Sequence, residues 1–419
     1  APEGTFPLKD IAPGLGDSYP DYLTALGGKV VFRAYNPEVG NQLWVTDGTE
    51  AGTQAISNVD IADYGAPLAL DDQLLFYGYD PVYGYGLIAT DGTSAGTQYL
   101  TNSGQFGEPT VIGSRVFFVG SNSNGSELWV SDGTQAGTSM LADINPGSGG
   151  SYPTQLTAAG GKLFFLADDG TNGSELWVSD GTSAGTHLVE DINPGGNSNI
   201  SAFTVLGSKV YFTADDFTTG RELWSSDGTA AGTIRHDLNP GRSGSFPFGM
   251  SSAGNGIYFA ATRAGIGSEL WFSDGTTAGT RLVCDINTGS GNAGPRNFVP
   301  FQGSIYFNAA TAREGFELRR LNIASATNHR LGEGSAPTYA TLESSNPILG
   351  GVAKHRYVRG PTGHLGLFVV SVPVAPYTMT GLFETDAAVF VNLSSMVVIG
   401  TVQPGEGTAN LPIPNDLGL

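Results

Sequence analysis

Six aspartates recur at intervals of 41 to 48 residues: Asp47, Asp91, Asp132, Asp180, Asp227 and Asp274, each followed by Gly-Thr. A carboxylate with a hydroxyl two residues on has two chemistries open to it. It can give oxygens to calcium, or it can accept backbone N–H groups and close a turn. Calcium takes six to eight oxygens, and one Asp with a Thr and carbonyls falls short, so the turn-closing role is expected for all six. A denser oxygen set is Asp168, Asp169, Asn172 and Glu175, four potential ligands within eight residues. This is the candidate calcium site, although the full alternation of a twelve-residue calcium loop is absent.

A second recurring carboxylate, at Glu127, Glu175, Glu222, Glu269 and Glu317, raises the question of paired-carboxylate catalysis. That chemistry needs two acids in unlike environments. Residues repeated in register have like environments, so these are read as hydrogen-bond acceptors between repeating units. The five histidines show no metal-ligand spacing, and no Gly-x-Ser-x-Gly string occurs. No catalytic residue is assigned. A binding site is suggested instead by Tyr35, Tyr64, Tyr77, Tyr79, Tyr83 and Tyr85, which gather in the two least regular units. Tyrosine presents a flat apolar ring with a polar tip, suited to sugars or to a protein surface.

These residues are positioned by one unit written seven times. All five tryptophans, Trp44, Trp129, Trp177, Trp224 and Trp271, stand three residues before a turn aspartate, and Asn322 marks a degenerate seventh copy. The unit from 154 to 192 divides into four strands, with Gly160-Gly161 and Asp169–Gly173 as hairpin turns and Asp180–Thr186 as the third. Runs such as Leu163-Phe164-Phe165-Leu166 and Val116-Phe117-Phe118-Val119 are apolar without alternation, which predicts strands buried on both faces. A blade held between two neighbouring blades gives that environment. Residues 4–14 match a fourth strand and its exit link, so the N-terminal strand is expected to complete the last blade; residues 328–331 align with the same slot.

The formal net charge is −20 with 14% charged residues, which disfavours nucleic acid and anionic membrane surfaces. No apolar run is long enough for a spanning helix. The single cysteine, Cys284, excludes an internal disulfide and is read as a small buried hydrophobe. The start at Ala1, without Met or an apolar leader, fits either a mature end left by a signal peptidase or a cut made within a longer chain.

The string Glu-Leu-Trp-x-x-Asp-Gly-Thr, complete at 127–134, 175–182, 222–229 and 269–276, resembles the repeat of the bacterial ELWxxDGT-repeat (hyalin-like) proteins. The resemblance covers roughly residues 3–331. It implies a secreted or cell-surface β protein and carries no reaction to transfer. The turn is also similar to the Asp-box of sialidase-type propellers, a structural hairpin away from the active site. In residues 335–419 the strings Asn346–Gly351 and Leu411–Asp416 look similar to a C-terminal β module of planctomycete and myxobacterial secreted proteins. Strands are expected there at 368–372, 388–391 and 396–399.

The sequence thus leads to an all-β fold: a seven-bladed β-propeller of four-stranded blades over residues 1–334, then a small β-sandwich over 335–419. The expected role is a non-enzymatic extracellular or cell-surface binding or adhesion module for a glycan or protein. No cofactor is required, calcium is the one metal considered, and self-association is open. The alternatives are a secreted hydrolase or lyase with its site at the channel mouth, and a structural subunit of a surface layer or filament.

Overall fold

A computed structural model describes residues 4–62, 66–103 and 107–323, with further strands between 356 and 409. The chain divides into two compact units, Ala1–Leu318 and Arg319–Leu419. Residues 21–322 form seven successive antiparallel sheets, and among the described residues of the first unit the one helical piece is the short turn Ala230–Gly232. In sheet 4 the strands run Thr154–Ala159, Lys162–Asp168, Ser174–Ser179 and His187–Glu190, each bonded to the next in order. Sheets 1, 3, 5 and 6 repeat this plan. Sheet 2 differs: its innermost strand is split into Asp60–Ile61 and Leu68–Leu70, both bonded to Gln73–Asp80. Sheet 7 has three strands among the described residues, Arg296–Phe301, Ser304–Thr311 and Gly315–Asn322.

The non-alternating runs are buried on both faces, as their composition requires. Leu163 and Phe165 face sheet 3, in a cluster with Phe117, Leu128 and Val130. Phe164 and Leu166 face sheet 5, against Val210, Phe212 and Trp224. The tryptophan alternates away from its neighbours: Trp177 lies on the sheet 3 side while Leu176 and Val178 lie on the sheet 5 side. Equivalent clusters join sheets 1 and 2, 2 and 3, and 5 and 6. The first strands of sheets 3, 4, 5, 6 and 7 lie side by side. Sheets packed face to face with their first strands together are the arrangement of a β-propeller.

Residues 4–20 carry no strand, yet Ile11 is buried with Phe32, Ala34 and Trp44 of sheet 1. The link isoleucine Ile144 sits in the same relation to sheet 4. In the second unit three antiparallel pairs are described: Arg356–Arg359 with Leu365–Phe368, Met379–Thr380 with Thr408–Ala409, and Ala387–Leu393 with Met396–Val402. Residues 328–331 and 369–372 lie outside the described residues.

Strand direction gives each sheet two unlike ends. The first strand begins, and the fourth ends, where the links between sheets run; the hairpin between strands two and three lies at that same end. We call this the link face. The opposite end holds the first hairpin turn and the Asp-Gly-Thr turn.

Candidate functional site

The Asp-Gly-Thr turns lie at the opposite face, and one oxygen of each aspartate is bonded within its own turn. Asp180 Oδ1 accepts from Thr182 N at 2.9 Å and Thr182 Oγ1 at 2.7 Å. Thr182 Oγ1 in turn accepts from Gly185 N at 3.0 Å, and Thr186 Oγ1 donates to Thr182 O at 2.8 Å. Ser179 Oγ joins Thr186 and also accepts from Gly181 N. The same bonds recur around Asp47, Asp91, Asp132, Asp227 and Asp274. The threonine hydroxyl bond holds the carboxyls of Asp47, Asp132, Asp180 and Asp227 below the usual carboxylate range.

Gly185 lies directly over the Asp180 carboxylate, so close that a Cβ would fall inside it; the corresponding glycines of the other five turns do likewise. Gly185→Ala is therefore expected to cost about 1–3 kcal/mol, as overpacking does. In urea denaturation the double change with Asp180→Ala should cost less than the sum of the two singles. An additive pair would contradict the clash.

The repeated glutamates have another role. Glu127, Glu175, Glu222 and Glu269 are fully buried. Each receives the link leading to the next sheet. Glu127 accepts from Ile144 N at 3.1 Å, from Ser151 N at 2.8 Å and from the Ser151 hydroxyl. Glu222 accepts from Leu238 N and the Ser245 hydroxyl, and Glu269 from Ile286 N and Ala293 N. Burial raises all four carboxyls, and Glu175, Glu222 and Glu269 are pushed up to about 7, with Asp191, Asp237 and Asp285 adding to the rise. Glu317 in sheet 7 is exposed, and sheet 2 has Gly86 instead. A Cβ at Gly86 would meet the Thr101 carbonyl and the Tyr99 ring.

This use of Glu175 separates it from the other candidate calcium ligands. Its carboxylate accepts from Ile192 N at 3.1 Å, within the link. Asp168, Asp169 and Asn172 share the hairpin tip, where Asp168 accepts from Gly170 N and Asp169 from Thr171 N, Asn172 N and Asn172 Nδ2. Among the described residues no three His, Cys, Asp or Glu side chains are grouped to hold a metal.

The tyrosines do come together on the link face. Tyr79 and Tyr85 are cross-strand partners at the second hairpin of sheet 2, with rings 5.1 Å apart edge to face. Tyr77 stacks on Tyr85 at 6.0 Å, and Tyr83 stacks on Tyr99 at 5.1 Å. Asp80 fixes the hairpin by accepting from Val82 N and Tyr83 N. Tyr35 is exposed at the matching hairpin of sheet 1, and Tyr64 lies outside the described residues.

Three further aromatics on this face were not singled out from the sequence. Tyr19, Tyr152 and Phe246 are exposed at the starts of the first strands of sheets 1, 4 and 6. The signal that could have found them is the repeated Ser-aromatic-Pro triplet at 18–20, 151–153 and 245–247. With Phe217 and Phe248 added, every exposed aromatic side chain of sheets 1 to 6 among the described residues lies toward the link face.

A cavity of about 420 Å³ opens at the other face between sheets 3 and 4, lined by Arg115, Asp132, Ser139, Met140 and Gly181 among others. Arg115 donates to the Gly181 carbonyl there at 3.1 Å, and Asp132 is held by its own turn. This offers no acid–base pair in position for catalysis.

No protein-family model and no curated protein matches the chain. Among solved structures it is similar to a prolyl endopeptidase, at 11% identity over 84% of this chain and 54% of that chain, with a TM-score of 0.38. A puromycin-hydrolyzing peptidase of Mycobacterium tuberculosis matches at 12% identity, 84% and 58% coverage, TM-score 0.34. The β-propeller domain of the Trilobed protease from Pyrococcus furiosus matches at 11% identity, 73% and 95% coverage, TM-score 0.31. The chain spans little more than half the length of the first two. The propeller assignment rests on the sheets and their packing. Among the described residues no helix is long and apolar enough to cross a membrane.

Proposed function

We propose that the chain is a non-enzymatic binding module of the extracellular space or cell surface, taking a glycan or a protein on its link face. The distribution of exposed aromatics carries this reading. Over sheets 1 to 6 one face is built of small polar turns, with exposed Phe301 of sheet 7 the exception there, and the other displays Tyr35, Tyr79, Tyr83, Tyr85, Tyr152 and Phe246. Tyrosine and other aromatics concentrate binding energy where they can be covered. The secreted location follows the resemblance of the repeat. The reading also takes residues 4–14 as the exit link of sheet 7, because Ile11 sits on sheet 1 as the link isoleucine Ile144 sits on sheet 4, although residues 4–20 carry no strand. It takes residues 335–419 as a small β-sandwich.

The test is a glycan array together with a pull-down of extracellular proteins, repeated with Tyr79→Ala/Tyr83→Ala/Tyr85→Ala. These three side chains are exposed, so thermal stability should stay near that of the parent. Affinity for the retained ligand should fall at least tenfold. No ligand at micromolar concentration from either screen would contradict the reading.

A further inference from the structure

We propose that Tyr19, Tyr152 and Phe246 are equivalent stacking sites for successive stretches of one neutral polysaccharide chain laid across the link face. This rests on the reading of that face as the binding face. The three rings occupy one slot of the repeat and are 71%, 66% and 55% exposed. Their backbones are left-handed, with φ of 42°, 47° and 47°. Sheets 5 and 7 fill the slot with Asn199 at φ 50° and Gly294 at φ 53°, the residue types this conformation favours. An aromatic here is disfavoured by the backbone, and its exposed ring gains little from packing. Strain of this kind is kept where function needs it.

The slot is also pinned at Tyr152 and Phe246, whereas Ser18 and Pro20 beside Tyr19 are not buried. Ser151 and Pro153 are buried on either side of Tyr152, as are Ser245 and Pro247 around Phe246. Tyr152 N donates to the Ser126 carbonyl at 3.0 Å and Phe246 N to the Arg221 carbonyl at 3.1 Å. Ser151 and Ser245 are tied by their hydroxyls to the buried Glu127 and Glu222. Glu127 and Glu222 thereby act as positioning residues for Tyr152 and Phe246.

The ligand class follows from arrangement and charge. Each ring stands on its own sheet, so the rings form separate flat platforms and not the continuous apolar core a protein interface needs. A polymer of repeated sugars can meet such platforms one after another, and binding at several together multiplies affinity without new contacts. The net charge of −20 disfavours an anionic polymer.

The full chain would be run in native gels containing soluble β-glucan, galactomannan, xylan or, as the anionic comparison, pectate. The wild type should be retarded by at least one neutral polymer and not by pectate. Tyr19→Asn/Tyr152→Asn/Phe246→Asn, which copies sheet 5, should lose affinity at least tenfold while its thermal midpoint rises by a few degrees. Retardation equal to wild type, a lowered midpoint, or a wild type that no neutral polymer retards would overturn the proposal. If the Asn variant still binds while the variant with Tyr79, Tyr83 and Tyr85 changed to Ala does not, the stacking slot fails and the link face stands as the binding face.

Discussion

The protein should be more stable at pH 5 than at pH 8 by several kcal/mol. Glu175, Glu222 and Glu269 sit fully buried with carboxyls pushed up to about 7, against about 4.5 in the unfolded chain. Between those values the unfolded chain has released protons that the folded chain still holds. The contribution of these three carboxyls is then fully present below about pH 4.5 and falls by about 1.4 kcal/mol per pH unit for each, levelling above pH 7. Buried His236, pushed down to about 4, offsets part of it between pH 6.5 and 4. Surface repulsion from the net negative charge acts in the same direction, but salt screens it and leaves the buried groups untouched. Denaturant titrations at 0.5 M salt across this pH range separate the two. Glu222→Gln should remove roughly a third of the remaining slope, whereas stability rising from pH 5 to pH 7 would contradict buried, protonated link acceptors.

Trp271→Ala should lower stability by about 3–5 kcal/mol, the usual cost of emptying a large buried aromatic site. Trp271 is buried between sheets 5 and 6 with Tyr211, Leu223, Ile257 and Phe259, and its indole N–H donates to the Ala261 carbonyl at 3.1 Å. Little of the lost volume can be refilled, because the facing strands are fixed by their own sheets. The comparison is Tyr83→Ala, an exposed aromatic, which should change stability by less than about 0.5 kcal/mol. Urea midpoints measure both. Equal effects would show that the sheets do not pack face to face.

The repeat was legible because its constraints are local. The Asp-Gly-Thr turn needs an acceptor, a positive-φ glycine and a hydroxyl at fixed offsets, and strands buried on both faces must read as unbroken apolar runs. The site was legible only in part. Glu175 stands three residues from Asn172 in sequence, but the strand carries its carboxylate to the Ile192 link and away from the hairpin tip. The exposed aromatics at 19, 152 and 246 are marked in the sequence only by the Ser-aromatic-Pro triplet, which does not disclose their left-handed backbone. That conformation stands just before the first strand, at Tyr152 and Phe246 next to the serine whose hydroxyl is tied to the buried glutamate, as Ser151 is to Glu127. Sheet 2 reads as irregular in the sequence, with Gly86 where most units carry Glu, but the form of the irregularity does not. Its split first strand and the exchange of Glu for Gly86 with Tyr99 alongside arise from packing that no spacing reveals.

Hydroxyl-radical footprinting of the full chain, with and without a saturating ligand retained on the glycan array or in the pull-down, tests most directly the division of labour between the two faces. Protection is expected at Tyr79, Tyr83, Tyr85, Tyr152 and Phe246. Reactivity should stay unchanged at Met140 and Leu141, beside the opposite cavity. Protection centred on that cavity, with the link-face rings unaffected, would contradict the assignment.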